Sequence, residues 1–254
     1  MTWEETRDFL NFKADQYNTP SFIEDDPIQI PHSFTRKEDI EIMGFLVATI
    51  AWGNRKSILN SGERLIQIFG NSPYDFVMEY TKDKEEYFDG FVHRTFNSID
   101  LAYFVESLQN LYSNHGGLES VFTKYATEDS LQPSIHEFKK IFFELPHPKR
   151  TQKHVSDPNK NSAAKRINMY LRWMVRNDNK GVDFGLWNQL SPSQLSCPLD
   201  VHSGNIARKL GVLQRKQNDA KAVIELDEAL RKMDPKDPVK YDFALFGLGV
   251  YDEL

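Results

Sequence analysis

Two short stretches carry the residues best suited to chemistry: Pro198-Leu199-Asp200-Val201-His202 and Ser162-Ala163-Ala164-Lys165-Arg166. An aspartate that opens a helix caps it, which is worth on the order of 1 kcal/mol. The same carboxylate can stabilise positive charge developing on a substrate. His202 is either an ordinary packed or surface imidazole, or a group that positions Asp200. Lys165 falls in the first turn of a predicted helix, where the helix dipole disfavours a cation. A lysine in that place either reaches into solvent or is held neutral, and a neutral amine is a nucleophile. Trp52-Gly53-Asn54-Arg55 breaks off an apolar helix, as a simple cap or as a polar turn with a task of its own. Asp242 and Phe246 are four apart and so share one helix face, where an acid is less usual than an aromatic.

These residues must be positioned by helices, since nearly every periodic segment is helical and no strand alternation stands out. Thr2–Gln16 reads as an amphipathic helix, followed by a connector over Asn18–Ser33. Thr35 with Glu38 forms the pattern of a capping box and predicts a helix from Arg36 to about Trp52. Its second half, IMGFLVATIAW, is apolar on all sides, which places it at the centre of a fold. Further helices are predicted over Ser57–Phe69, Ser72–Tyr80, Ser98–Tyr112, Leu118–Tyr125, Pro133–Phe143 and Ser162–Arg176. Three more follow at Val201–Leu210, Asp219–Met233 and Pro238–Val250, with Asp237 as the natural N-cap of the last. The expectation is one all-α fold over residues 1–254, of roughly a dozen helices in two interleaved lobes.

Composition narrows the functions. With 31 basic and 37 acidic residues the net charge is −6, which does not favour a nucleic-acid partner. Distribution qualifies the sum. A basic loop over 146–166 holds Lys149, Arg150, Lys153, Lys160, Lys165 and Arg166 against the single Asp157, a net +5 between Lys149 and Arg166. Such a stretch is a solvated loop or a phosphate contact. One cysteine, Cys197, excludes a disulfide framework, a Cys-ligated zinc site and an iron–sulfur cluster within one chain. The acidic, amphipathic opening MTWEETRDFLNFK is not a secretory leader, and the apolar run Ile42–Trp52 is about half of a membrane span. A soluble, cytoplasmic protein without a membrane partner is expected.

Several segments together resemble the helix-hairpin-helix (HhH-GPD) DNA glycosylase superfamily, nearest its 8-oxoguanine branch. CPLDVHSGNIARKLG is similar to that superfamily's Val-Asp-X-His stretch, whose Asp is at once cap and catalytic carboxylate. FLVATIAWGNRKSILNSGERLIQIFG, HRTFNSIDLAYFVESLQNLYSNHGG and YDFALFGLG resemble other helices of the fold, in the right order over about 36–250. The resemblance implies a base-excision enzyme in which Asp200 and Lys165 are catalytic and His202 supports Asp200. Asn54 and Arg55 would enter the duplex, while Lys149, Arg150, Lys153 and Arg166 bind phosphate. Phe246, Asp242 and Trp52 would form the base pocket. The implied partner is double-stranded DNA carrying a damaged base, an oxidised purine in that branch, with neither metal nor organic cofactor; the oligomeric state stays open, with a monomer favoured. The chain departs from the pattern in having no glycine between Gly117 and Gly181, so the usual Gly-X-Gly hairpin before the lysine is missing. The alternatives are an enzyme that uses Asp200 to activate water, a non-catalytic DNA-binding module, and a helical interaction protein without nucleic acid.

Overall fold

The computed structural model describes residues 1–252. Among them the chain forms α1 (Trp3–Tyr17), α2 (Ser21–Asp25), α3 (Lys37–Ile50), α4 (Arg55–Phe69), α5 (Pro73–Met78), β1 (Val92–His93), β2 (Phe96–Asn97), α6 (Ser98–Asn114) and α7 (Gly117–Lys124). It continues with α8 (Gln132–Phe142), α9 (Lys165–Val175), α10 (Val201–Lys209), α11 (Ala220–Met233) and α12 (Tyr241–Val250). The fold is therefore helical, with one two-stranded antiparallel hairpin. Two compact units divide the chain. One takes residues 1–22, 126–136 and 156–254, and the other takes 23–125 and 137–155.

The second of these units is built on α3, which is buried at every position from Asp39 to Ile50. That follows from its apolar sequence, since no face of it can be left in water. Phe45 stacks on Phe104 at 5.7 Å between ring centres and meets Phe138 and Phe142 edge-on at 5.4 Å each. The two acids that α3 buries are satisfied. Tyr112 donates its hydroxyl to Glu41 at 2.6 Å, and the backbone N–H of Tyr74 donates to Asp39 at 2.7 Å. The predicted Thr35 cap does not form. Arg36 stands at the N-cap without a side-chain bond, and Glu38 pairs with Arg36 instead. The hairpin of β1 and β2 went unforeseen because two-residue strands show no alternation to read.

In the first unit α12 packs against both α1 and α10. Its core joins Leu10 and Ala14 of α1 with Ile206 and Ala207 of α10, Leu226 and Leu230 of α11, and Leu245 and Leu248 of α12. Gly247 lets the Tyr17 ring lie directly on the α12 backbone, in space that any Cβ would occupy. Two helix starts differ from expectation. Residues Pro238–Lys240 form a separate 3-10 turn, and Asp237 makes no side-chain cap bond because its carboxylate receives Arg176. The α9 helix begins at Lys165, three residues late. Ser162 is held as an isolated β-bridge to Asp219, and Ala164 takes the left-handed conformation at φ 47°. That conformation is costly for a residue with a Cβ.

Candidate functional site

The loop before α9 and the loop before α10 bring Lys165 and Asp200 together. Lys165 Nζ lies 3.6 Å from Asp200 Oδ2, and the two side chains keep 29% and 23% of their surface exposed. They are thirty-five residues apart in sequence, so only the fold makes this pair. Asp200 is the N-cap of α10. Its Oδ1 accepts the Ser203 N–H at 3.0 Å and the Ser203 hydroxyl at 3.2 Å, while its own N–H donates to Ser203 Oγ at 2.9 Å. The reciprocal capping box holds one carboxylate oxygen and turns the other towards the amine. Asn218 Nδ2 donates to the Asp200 carbonyl at 2.7 Å. Lys165 is the first residue of α9, so two helix N-termini, each with orphan N–H groups, meet at the pair and favour an anion there.

Behind the pair runs a buried chain of charges. Arg172 of α9 donates Nη1 to Asp242 Oδ2 at 2.5 Å and Nε to Asp183 at 3.1 Å. Arg176, one turn on, donates to Asp183 at 3.1 Å and to Asp237 at 2.9–3.1 Å, and pairs with Asp178 at 2.8 Å. Burial, with Asp200 as a second negative neighbour, pushes the Asp242 carboxyl up to about 6 against the pull of Arg172 and Lys165. Burial also raises Asp183, although both arginines oppose it. Burial lowers the Arg176 guanidinium's affinity for its proton, but Asp183, Asp237 and Asp178 outweigh that and raise it overall. Cys197 is fully buried with Sγ 3.9 Å from Asp242 Oδ1, and burial beside Asp242 and Asp227 holds its thiol protonated. Arg172 and Arg176 were not foreseen, although two arginines four apart on a mostly apolar helix were the available signal.

The other expected residues are placed as follows. His202 is exposed, with its Cβ and carbonyl against Gly249, and no hydrogen bond joins it to Asp200 among the described residues. Asp242 is 5% exposed and committed to Arg172, so its carboxylate is part of the buried chain and does not line an open base pocket. Phe246 stands edge-on to Phe22 at 6.2 Å, half-buried. Arg166 is half-buried on α9, and desolvation lowers its guanidinium to about 10.

In the unit of residues 23–125 and 137–155, Asn54 is exposed and is the N-cap of α4, accepting the Ser57 N–H at 3.3 Å, with Arg55 as the first helical residue. Trp52 carries the Arg94 guanidinium over its ring at 4.6 Å, and its carbonyl bonds His93 Nε2 at 3.1 Å. Arg94, at φ 55° in the turn between β1 and β2, escaped the sequence reading altogether. Lys149 and Lys153 are exposed. Arg150 is tied down, donating to the Thr95 carbonyl, Asn97 Oδ1 and Asp100 Oδ2 at 2.8–2.9 Å. Among the described residues no group of three or more His, Cys, Asp or Glu side chains is placed to hold a metal ion. No described helix is long and apolar enough to cross a membrane.

Comparison with known proteins corrects the family expectation. The family that matches is described as "Protein of unknown function (DUF2400)", over residues 26–251, and it is not the helix-hairpin-helix glycosylase superfamily. The segments behind the earlier resemblance are short, and Pro-Leu-Asp-Val-His is also what any aspartate-capped helix after a proline turn presents. No curated protein and no solved structure matches the chain. With the match covering most of its length, the chain belongs to this family of unknown function.

Proposed function

We propose that the protein cleaves an N-glycosidic bond in damaged DNA at the Lys165–Asp200 pair, releasing an oxidised purine. The observation that carries this reading is the pair itself: an amine and a cap-held carboxylate 3.6 Å apart and still open to solvent. Lys165 attacks only after losing a proton, and Asp200 Oδ2, the oxygen that Ser203 leaves unbound, is the acceptor within reach. The amine then bonds to C1′ of the sugar while the base departs with the electrons of the C–N bond and takes up a proton. That proton comes from Asp200, which is thereby returned to a carboxylate and stabilises the positive charge left on the sugar as the bond breaks. Ring opening converts the adduct to an imine, from which strand cleavage follows.

The target base has to leave the stack, at a cost of a few kcal/mol. Contacts from the exposed Lys149, Lys153 and Lys160 to phosphates offset that cost without reading sequence. Phe246, half-buried one turn beyond Asp242, supplies the aromatic surface on which a flipped base would stack.

The test is borohydride reduction of the protein on a duplex containing 8-oxoguanine, beside Lys165→Ala and Asp200→Asn. A covalent protein–DNA adduct that vanishes in Lys165→Ala is the expected result. Base release that survives Lys165→Ala would shift the chemistry to water activated by Asp200. Duplex binding that ignores Asp200→Asn, with no release from a panel of oxidised lesions, would overturn the enzymatic reading and leave a DNA-binding module.

A further inference from the structure

Two residues outside the helices of Lys165 and Asp200 bond to the chain beside the pair. Asn218 and Asp219 are consecutive, and their side chains reach opposite partners. Asn218 Nδ2 donates to the Asp200 carbonyl at 2.7 Å, and its Oδ1 accepts Arg208 Nη2 at 2.6 Å. Arg208 also donates Nε to the Arg215 carbonyl at 2.7 Å, which closes the loop on itself. Asp219 caps α11 through the Ala222 N–H at 3.1 Å and receives Arg215 at both oxygens. Its Oδ2 also accepts Asn161 Nδ2 at 3.2 Å, and its backbone forms the isolated bridge with Ser162. Asn161 and Ser162 belong to the turn that delivers Lys165.

The carboxamide of Asn218 has a place made for it. A Cβ on Gly204 of α10 would stand 2.8 Å from Asn218 Oδ1, so the helix can carry this crossing only where the side chain is a hydrogen. One bond at Asn218 thus fixes the cap that holds the carboxylate. The bonds at Asp219 fix the glycine-free turn, left-handed at Asn161 and Ala164, that sets the amine.

We propose that Asn218 and Asp219 are positioning residues of the Lys165–Asp200 site, acting through the Asp200 carbonyl and the 161–164 turn respectively. The proposal rests on the reading of that pair as the reactive centre. A geometric probe tests it without needing a substrate. A carbodiimide joins a lysine amine to a nearby carboxylate as an amide, and peptide mapping by mass spectrometry measures the yield of Lys165–Asp200 linkage. The ion pair Lys13–Asp252, at 2.6 Å, is the internal control.

In Asn218→Asp, which keeps the Arg208 bond and loses the donor to Asp200, and in Asp219→Asn, the Lys165–Asp200 yield should fall about ten-fold, the scale of a misplacement below 1 Å. The Lys13–Asp252 yield and the melting temperature should hold. Gly204→Ala, which pushes on Asn218 from the other side, should reproduce the loss. Unchanged Lys165–Asp200 yield in both loop variants overturns the proposal. So does a parallel fall at Lys13–Asp252, which would mean general loosening. Borohydride trapping on the lesion duplex runs beside it. If the wild type gives no adduct while the loop variants lose the cross-link, excision fails and the positioning stands. If the wild type traps and the cross-link is unmoved, positioning fails and excision stands.

Discussion

Replacing Asp227 by Asn should make the protein more stable at neutral pH and leave it unchanged in acid. Asp227, on α11, is 5% exposed; its Oδ1 accepts the Cys197 N–H at 2.9 Å, and Arg231 is no nearer than 3.9 Å. Burial pushes this carboxyl up to about 6, against the opposing bonds from Ser196 and Cys197. In the unfolded chain an aspartate titrates near 3.9. Between those values the folded protein holds a proton that the unfolded chain has lost. Stability from this group is therefore complete below about pH 4, declines as the pH rises, and is gone above about pH 6. Two pH units correspond to about 3 kcal/mol. Asn keeps the acceptor for Cys197 and cannot ionise. The assay is urea unfolding followed by tryptophan fluorescence, for which Trp173 and Trp187 are both buried. Across the range from about pH 4 to 7.5 the variant should gain about 2–3 kcal/mol on the wild type. The acid side also protonates Asp100, Asp178 and Asp234, each held below the usual range by hydrogen bonds or cations that outweigh burial. Those groups are common to both proteins and cancel in the difference. Parallel stability curves for the two proteins would refute the reasoning. The costly carboxylate has a structural use, because it accepts the Cys197 N–H just before Asp200.

Asp183→Ala should be severe, because it leaves Arg172 and Arg176 buried with one anion fewer; a loss of about 3–5 kcal/mol is expected in thermal or urea unfolding. A loss below about 1 kcal/mol would mean that Asp242 and Asp237 alone satisfy the two arginines. Gly247→Ala should cost about 1–3 kcal/mol, since the new methyl meets the Tyr17 ring, and differential scanning calorimetry measures it. Arg150→Ala should lower stability by about 1 kcal/mol through its bonds to Thr95 and Asp100, given a side chain more than a third exposed. It should leave the salt dependence of duplex binding unchanged, whereas Lys153→Ala should reduce the slope by about one.

The legible parts of this chain were the local ones. The start of α10 at Asp200 could be read because capping is decided within four residues. The buried course of α3 could be read because an apolar surface all round leaves no alternative. Thr35 and Asp237 show where local rules stop. Both are good caps in isolation, yet Arg36 takes the first helix end and Arg176 draws the second carboxylate away. The family resemblance failed on the same ground, since each of its segments was a local pattern that unrelated helices also satisfy.

The sequence by itself determined a helical protein with a buried central helix, an aspartate cap at residue 200 and a basic stretch ahead of Lys165, because propensity, capping and charge are properties of neighbours along the chain. Tertiary structure alone decided that Lys165 and Asp200 meet, that Asp242 is paired with Arg172 and closed off from solvent, and that Asn218 bonds to Asp200 and Asp219 to the turn before Lys165. Those contacts join residues from eighteen to seventy positions apart. Their energies come from burial and from bonds that exist only once the backbone has closed the loops between them.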